Sequence, residues 1–377
     1  MNKIPLFKVF MASSAPDEVA KVLRSGFIGE GPKVKEFEDN LRDWFGVYRL
    51  AATNAATSAE HLALRLIRKS HGVVDGDEVL ATPLTCTATN FPILANNLKI
   101  KWVDVDPTNL NMDLDDLERK LSPKTKAIFF VHWGGYPVDL DRVKEICDKC
   151  ERLYGFKPVV IEDCAHALGS TYKGAKLGTH GNYCTFSFQA IKHMTSVDGG
   201  ILICPDEESF RRAKLLRWYG IDRESERTDF RCEMDIPEWG YKFHMNDVAA
   251  TVGNENLKHA DWVISKHQSN AAYYDKELSG VSGVTLLKRD ADRTSSFWIY
   301  SLLVDDKKNF MKRMEDKGIA VSQVHERNDI HSCVSEFNCA LPNLDKITPR
   351  LVAIPVGWWV DDKQRKYIAD TIREYYG

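Results

Sequence analysis

Short apolar runs alternate with amphipathic stretches along the first two-thirds of this chain. The segments DEVLATP (77–83), IKWVDVD (100–106), KAIFFVHW (126–133), PVVIED (158–163), CTFSF (184–188) and GGILIC (199–204) read as short buried strands. Between them, TSAEHLALRLIRKS (57–70), LDDLERKL (114–121) and DLDRVKEICDKCERLYG (139–155) carry apolar residues at helical spacing. Such alternation predicts an α/β fold, a largely parallel sheet with helices on both faces. After about residue 255 the pattern changes. A polar helical stretch, KHADWVISKHQSNAAYYDKEL (258–278), leads to FWIYSLLVD (297–305), NFMKRMEDKGIAV (309–321) and RKYIADTIREYY (365–376). This predicts a smaller α+β C-terminal unit, dividing the chain into a large domain (1–255) and a small one (256–377). No internal repeat interrupts either part.

Composition narrows the class. The 377 residues are 44% hydrophobic and 28% charged with a formal net charge of −3, ordinary for a globular enzyme. No lysine- or arginine-rich tract is present to hold a phosphate backbone, so no nucleic-acid partner is expected. No uncharged run approaches the roughly 18 residues of a membrane span, and the N-terminal stretch lacks the apolar core of an export signal. Nine irregularly spaced cysteines then read as reduced thiols in a cytoplasmic protein. Cys147 and Cys150 form a CxxC inside a helical segment with no second pair at zinc spacing, so no metal is expected.

The candidate chemistry sits where strands end. In an open α/β sheet, ligands collect at the carboxyl ends of the strands. Asp163 closes the PVVIED run, and Thr57 and Ser58 open a helix after the small-residue loop AATNAA, where free amides and hydroxyls suit a phosphate. Within TFSFQAIKHMTSVDGG (185–200), Lys192 follows Ser187 by five residues and precedes an apolar strand. One lysine, one carboxylate at a strand end and one hydroxyl on a glycine-bounded segment suit pyridoxal 5'-phosphate: an imine to the lysine, an acid at the pyridinium nitrogen, a hydroxyl at the phosphate.

These segments, in order, resemble the DegT-type sugar aminotransferases, a pyridoxal-phosphate family of the aspartate-aminotransferase fold (fold type I). The likeness is carried by SGFIGEGPKVKEFED (25–39), TSAEHLAL (57–64), KTKAIFFVHWGGYPVDLD (124–141), the long block from VVIEDCAH to SVDGG (159–200), EWGYKFHMNDVAATVGNENL (238–257) and KGIAVSQVH (317–325). The resemblance implies that Lys192 carries the cofactor, that Asp163 pairs with its ring nitrogen and that His166 lies beside the ring. Ser187, Thr57 and the amide of Ser58 would hold the phosphate. Three positions depart from the family pattern. Cys86 stands where an aromatic residue commonly stacks on the ring, Ala56 replaces a loop glycine, and Lys242 occupies the place of an asparagine that reaches the neighbouring subunit's phosphate, with Asn246 as the rival.

The resemblance further implies a homodimer with shared active sites. It also implies a two-step transfer of nitrogen from L-glutamate to a nucleotide-linked keto sugar, of the 4-keto-6-deoxy hexose kind. Gly29, His132, His193, His325 and Arg327 are the expected substrate-side residues, Arg327 through a fork that suits a diphosphate. Trp358 and Trp359 are expected to pack the small unit. A deoxysugar dehydratase of the same family has histidine in place of the Schiff-base lysine. Here His193 falls one residue beyond that register, which favours transamination. A non-catalytic regulator is disfavoured by the complete set of cofactor residues, and a nicotinamide enzyme by the lack of GxGxxG after an early strand.

Overall fold

The computed structural model describes residues 3–223, 225, 229 and 235–377. Helices α1 (Ala15–Ser25) and α2 (Pro32–Phe45) precede β1 (Leu50–Thr53), α3 (Ala56–Ser70), β2 (Glu78–Ala81), α4 (Thr87–Ala95), β3 (Lys99–Trp102), α5 (Leu114–Arg119), β4 (Thr125–Val131), α6 (Leu140–Tyr154) and β5 (Val159–Asp163). A small hairpin, β6 (Thr171–Tyr172) and β7 (Ala175–Lys176), leads to β8 (Tyr183–Ser187), β9 (Gly200–Ile203), α7 (Glu207–Leu216) and α8 (Asp247–Leu257). Then come α9 (Ala260–Glu277), β10 (Val284–Leu286), β11 (Arg293–Thr294), β12 (Tyr300–Val304), α10 (Lys307–Asp316), α11 (Pro342–Ile347), β13 (Leu351–Ile354) and α12 (Asp362–Tyr376).

Seven of these strands form the large sheet, in the order β1-β9-β8-β5-β4-β2-β3. β8, β5, β4, β2 and β3 run parallel, and β9 is antiparallel to both its neighbours. The predicted α/β class, mostly parallel sheet and fold type I architecture are present. Each strand is flanked by apolar clusters on both faces, which explains why the predicted runs were continuous rather than alternating. The face bearing Ile161 and Tyr183 is covered by Ala59, Leu62 and Ala63 of α3. Side chains alternate along a strand, so Asp163 and Ser187, two and four residues on, stand on that same face.

Beyond α8, a three-stranded antiparallel sheet, β10-β12-β13, packs with α9, α10 and α12 around Tyr274, Leu302, Phe310 and Ile368. Ile4 belongs to this cluster and bridges to Ile319, so the start of the chain packs with its last third. Trp359 donates its indole N–H to Pro5 O at 2.9 Å, and Trp358 packs against Phe10 and Trp262. Of the elements the sequence pattern did not predict, two show why. β1, LAAT, is fully buried but built from alanines of low strand propensity. α4 contains Pro92 and two threonines, residues that argue against a helix when read locally.

Candidate active site

The rim of the large sheet gathers most of the predicted residues. Asp163, the last residue of β5, is almost fully buried. Its Oδ1 accepts the Ala165 amide at 2.8 Å and its Oδ2 accepts the Thr89 hydroxyl at 2.7 Å. Burial pushes the Asp163 pKa up, while these two hydrogen bonds and the Lys192 charge pull against it. Two donors on one carboxylate fix its direction as well as favouring its charge.

Lys192 lies on the turn that follows β8, its amide donating to Gln189 O at 3.0 Å. Its ammonium rests over the Trp298 ring, 3.7 Å from the centroid. Desolvation lowers its pKa to about 8, opposed by Asp163, Cys86 and Glu60. A lysine so tuned is available as a neutral amine near physiological pH.

An anion cradle adjoins this pair. α3 begins after Ala55 with no side-chain cap, so its first amides are free. Ser187 pairs in the sheet with Gly200, and a Cβ on Gly200 would sit 2.5 Å from the Ala56 amide nitrogen. Only glycine lets the helix start approach the strand this closely, so the first turn of α3 lies against the strand residue that pairs with Ser187. The Ser58 hydroxyl is spent on Asn54 Oδ1 at 2.7 Å, leaving its amide for the anion. Thr57 is exposed at the opening. Oriented amides at a helix start with hydroxyls nearby suit a phosphate.

His166 stacks on Trp298 with ring centroids 4.0 Å apart and lies parallel to His325 at 5.5 Å. Burial first, then the Lys192 charge, holds its pKa well below the ordinary value, and burial holds His325 at about 4. Both rings are therefore neutral. His166 Nδ1 and His325 Nε2 are buried without a hydrogen-bond partner. Cys86 caps the start of α4, its carbonyl accepting the Asn328 side chain at 3.3 Å.

Other predicted residues are committed elsewhere. His132 is fully buried, with Nε2 2.8 Å from Glu162 and Nδ1 accepting the Val138 amide at 3.0 Å. His193 is buried with Nε2 2.9 Å from Ser296 O. The Arg327 fork is closed on Asp329 at 2.8 and 2.6 Å, and its remaining nitrogen meets Asp345 at 2.5 Å. His132 and Arg327 have both ring nitrogens and the whole fork engaged in this arrangement, while His193 keeps a buried Nδ1 without a hydrogen-bond partner. His132, Glu162 and Cys164 present ligand atoms within 4.8 Å of one another, but the histidine nitrogens are occupied as just described. Gly29 is exposed, its carbonyl accepting the Asp247 amide at 2.7 Å, while the Asp247 carboxylate caps the start of α2 through Gly31 and Val34. Lys242 is exposed, its carbonyl accepting the Asn54 side chain at 3.2 Å, and Asn246 caps α8 through the Ala249 amide at 2.9 Å.

Three site residues were missed. Thr89, one helical turn beyond Thr85, was visible only as a hydroxyl after a strand. Trp298 was visible only as one apolar residue within FWIYSLLVD. Glu60 had a signal: it stands in line with the core-facing Leu64 and Ile67 of α3, where a carboxylate is out of place. It is buried with Oε2 unpartnered, and burial raises its pKa well above the usual range.

A buried lysine, a carboxylate aimed along the rim and an uncapped helix start are the groups that pyridoxal 5'-phosphate calls for, and the residues present fit that group. Residues 11–373 match the DegT/DnrJ/EryC1/StrS aminotransferase family, and the chain belongs to it. The family depends on pyridoxal 5'-phosphate. Among solved structures, the chain is similar to AtS13 from Actinomadura melliaura, with 50% identity, a TM-score of 0.95 and 99% of each chain covered. It is also similar to the sugar aminotransferase CalS13 from Micromonospora echinospora, with 47% identity, a TM-score of 0.94 and 98% and 99% of the two chains covered. A curated relative, UDP-4-amino-4-deoxy-L-arabinose–oxoglutarate aminotransferase of Shewanella sediminis, is 34% identical over 289 residues, 75% of this chain and 71% of its own length.

Proposed function

We propose that this enzyme moves an amino group from L-glutamate to a nucleotide-linked keto sugar, making an amino sugar for surface polysaccharides or a similar glycan. The observation that carries the reading is the junction of Lys192, Asp163 and the uncapped start of α3 at one rim. The names of relatives support the substrate class, since they specify UDP-linked, dTDP-linked and GDP-linked sugars. Glutamate as donor is suggested by the oxoglutarate in the Shewanella enzyme's name.

The cofactor, when bound, supplies an electron sink that lets a C–H bond beside nitrogen break. The α3 amides, Ser187 and Thr57 would anchor its phosphate. Asp163, aimed by Thr89 and Ala165, would keep a proton on the ring nitrogen. Lys192, whose burial brings its pKa down to about 8, would accept the proton from the amino-acid carbon at Nζ and return it on the other side of the transfer. His166 and His325 line the site as neutral rings, able to meet a ring oxygen or sugar hydroxyl without adding charge. The dominance of neutral histidine near a cationic lysine limits repulsion as the lysine is protonated.

We infer a homodimer in which Lys242 or Asn246 of one subunit completes the site of the other. We further propose a cytoplasmic enzyme. Among the described residues no helix is long and apolar enough to cross a membrane, and the described cysteines are free thiols. The test is incubation with glutamate and a panel of UDP-, dTDP- and GDP-linked keto sugars, followed by mass spectrometry. One sugar should gain an amino group with an equal amount of 2-oxoglutarate. Release of a deoxygenated keto sugar and ammonia would overturn the reading.

A further inference from the structure

Trp298 lies in the last third of the chain, just before β12, yet its ring reaches the lysine at the rim of the large sheet. It is almost fully buried. One set of contacts clamps it: the ring stacks on Phe7 at 5.1 Å and on His166 at 4.0 Å, both at 21°. Its indole N–H donates to the carbonyl of Ile191, the residue before Lys192, at 2.9 Å. The Lys192 Nζ lies 3.7 Å from the ring centroid.

We propose that Trp298 is a positioning residue for Lys192: its π face holds the ammonium at the rim and favours the protonated lysine, while its N–H fixes the backbone one residue upstream. The physical basis is the electron-rich indole face, the best side-chain surface for a cation, acting where water is largely excluded. The other groups facing Lys192 are Asp163, Cys86 and Glu60, which also favour the cation, and His166, His193 and His325, which are neutral. Burial works against the cation, and Trp298 offsets part of that penalty without adding a formal charge that would compete with Asp163 for the cofactor ring. A lysine that must alternate between amine and ammonium needs its proton affinity held near the working pH, and an aromatic face trims it more finely than a second carboxylate. Because Trp298 belongs to the stretch after residue 256, the C-terminal part of the chain participates directly in setting the state of the lysine.

This inference rests on Lys192 being the cofactor lysine, and its test does not require turnover. Full-length protein freed of cofactor is labelled with trinitrobenzenesulfonate across a pH series, and the rate at Lys192 is read by peptide mass. Wild type is compared with Trp298→Phe, Trp298→Leu and protein grown with tryptophan replaced by mono-, di- and trifluorinated tryptophan. The Lys192 midpoint should fall by about one pH unit in Trp298→Leu and much less in Trp298→Phe. It should fall stepwise with fluorination, which weakens the π face at nearly constant shape. An unmoved midpoint in Trp298→Leu of native melting temperature would overturn the proposal. If that variant does not fold, a fluorinated series without a downward trend overturns it equally. Failure of borohydride to fix the cofactor on Lys192 in wild type would instead contradict the assignment of the lysine, leaving the midpoint comparison intact.

Discussion

Replacing Thr89 with valine removes one hydroxyl and almost no volume, and isolates what aims Asp163. In the native site the Thr89 hydroxyl donates to Asp163 Oδ2 at 2.7 Å and sits 2.8 Å from the Thr85 hydroxyl. A hydrogen bond to an ionised group contributes about 1.5–3 kcal/mol. Losing it disfavours the Asp163 carboxylate by that amount, in the same direction in which burial already pushes the group. At 1.36 kcal/mol per pH unit, the acid limb of the glutamate half-reaction should move up by about one to two units. Activity should fall by about 10- to 100-fold on the acid side and much less on the alkaline side, where the carboxylate is ionised in both proteins. The assay is the pH dependence of single-turnover reaction with glutamate, read from the cofactor absorbance. A loss of equal size at every pH would refute the reasoning, since it would mean that Thr89 shapes the site without governing the charge of Asp163.

Gly200→Ala should weaken cofactor binding by at least about tenfold and destabilise the protein by about 1–3 kcal/mol, because the new methyl would lie 2.5 Å from the Ala56 amide. Equilibrium dialysis and urea unfolding check both parts. Burial depresses the His267 pKa from 6.5 to about 4, so its neutral form stabilises the fold above about pH 6.5 and that contribution is lost as the pH falls toward 4. Unfolding free energies from urea at pH 7.5 and 5 should differ less in His267→Gln than in wild type, by about 2 kcal/mol. Mixing a Lys192→Ala subunit with one altered at both Lys242 and Asn246 should restore some activity, as one hybrid site is then intact. No recovery despite proven subunit exchange would argue against shared sites.

Much of the large sheet was legible because its strands are buried on both faces and therefore read as unbroken apolar runs. The places of Asp163, Ser187, Lys192 and Thr57 at or just after strand ends and at a helix start were legible because those are local features. The ordered blocks of resemblance then tied positions more than a hundred residues apart. What escaped depends on contacts between distant segments. Thr89 matters only through its reach to β5, 74 positions away. Trp298 matters only through a lysine 106 positions before it in the sequence, a separation no periodicity encodes. His132 and Arg327 carried the right chemistry for a substrate, yet Glu162 and Asp329 had already claimed them. A side chain's type is written in the sequence, but whether its donors are free is decided by packing.

The most direct measurement is borohydride reduction of the purified, cofactor-loaded protein followed by peptide mapping. The reduced cofactor should be found on the peptide carrying Lys192, and Lys192→Ala should take no covalent label and lose transfer from glutamate. Label on a different lysine, or a Lys192→Ala protein that still exchanges nitrogen with glutamate at the normal rate, would contradict the role assigned to this residue and with it the proposed reaction.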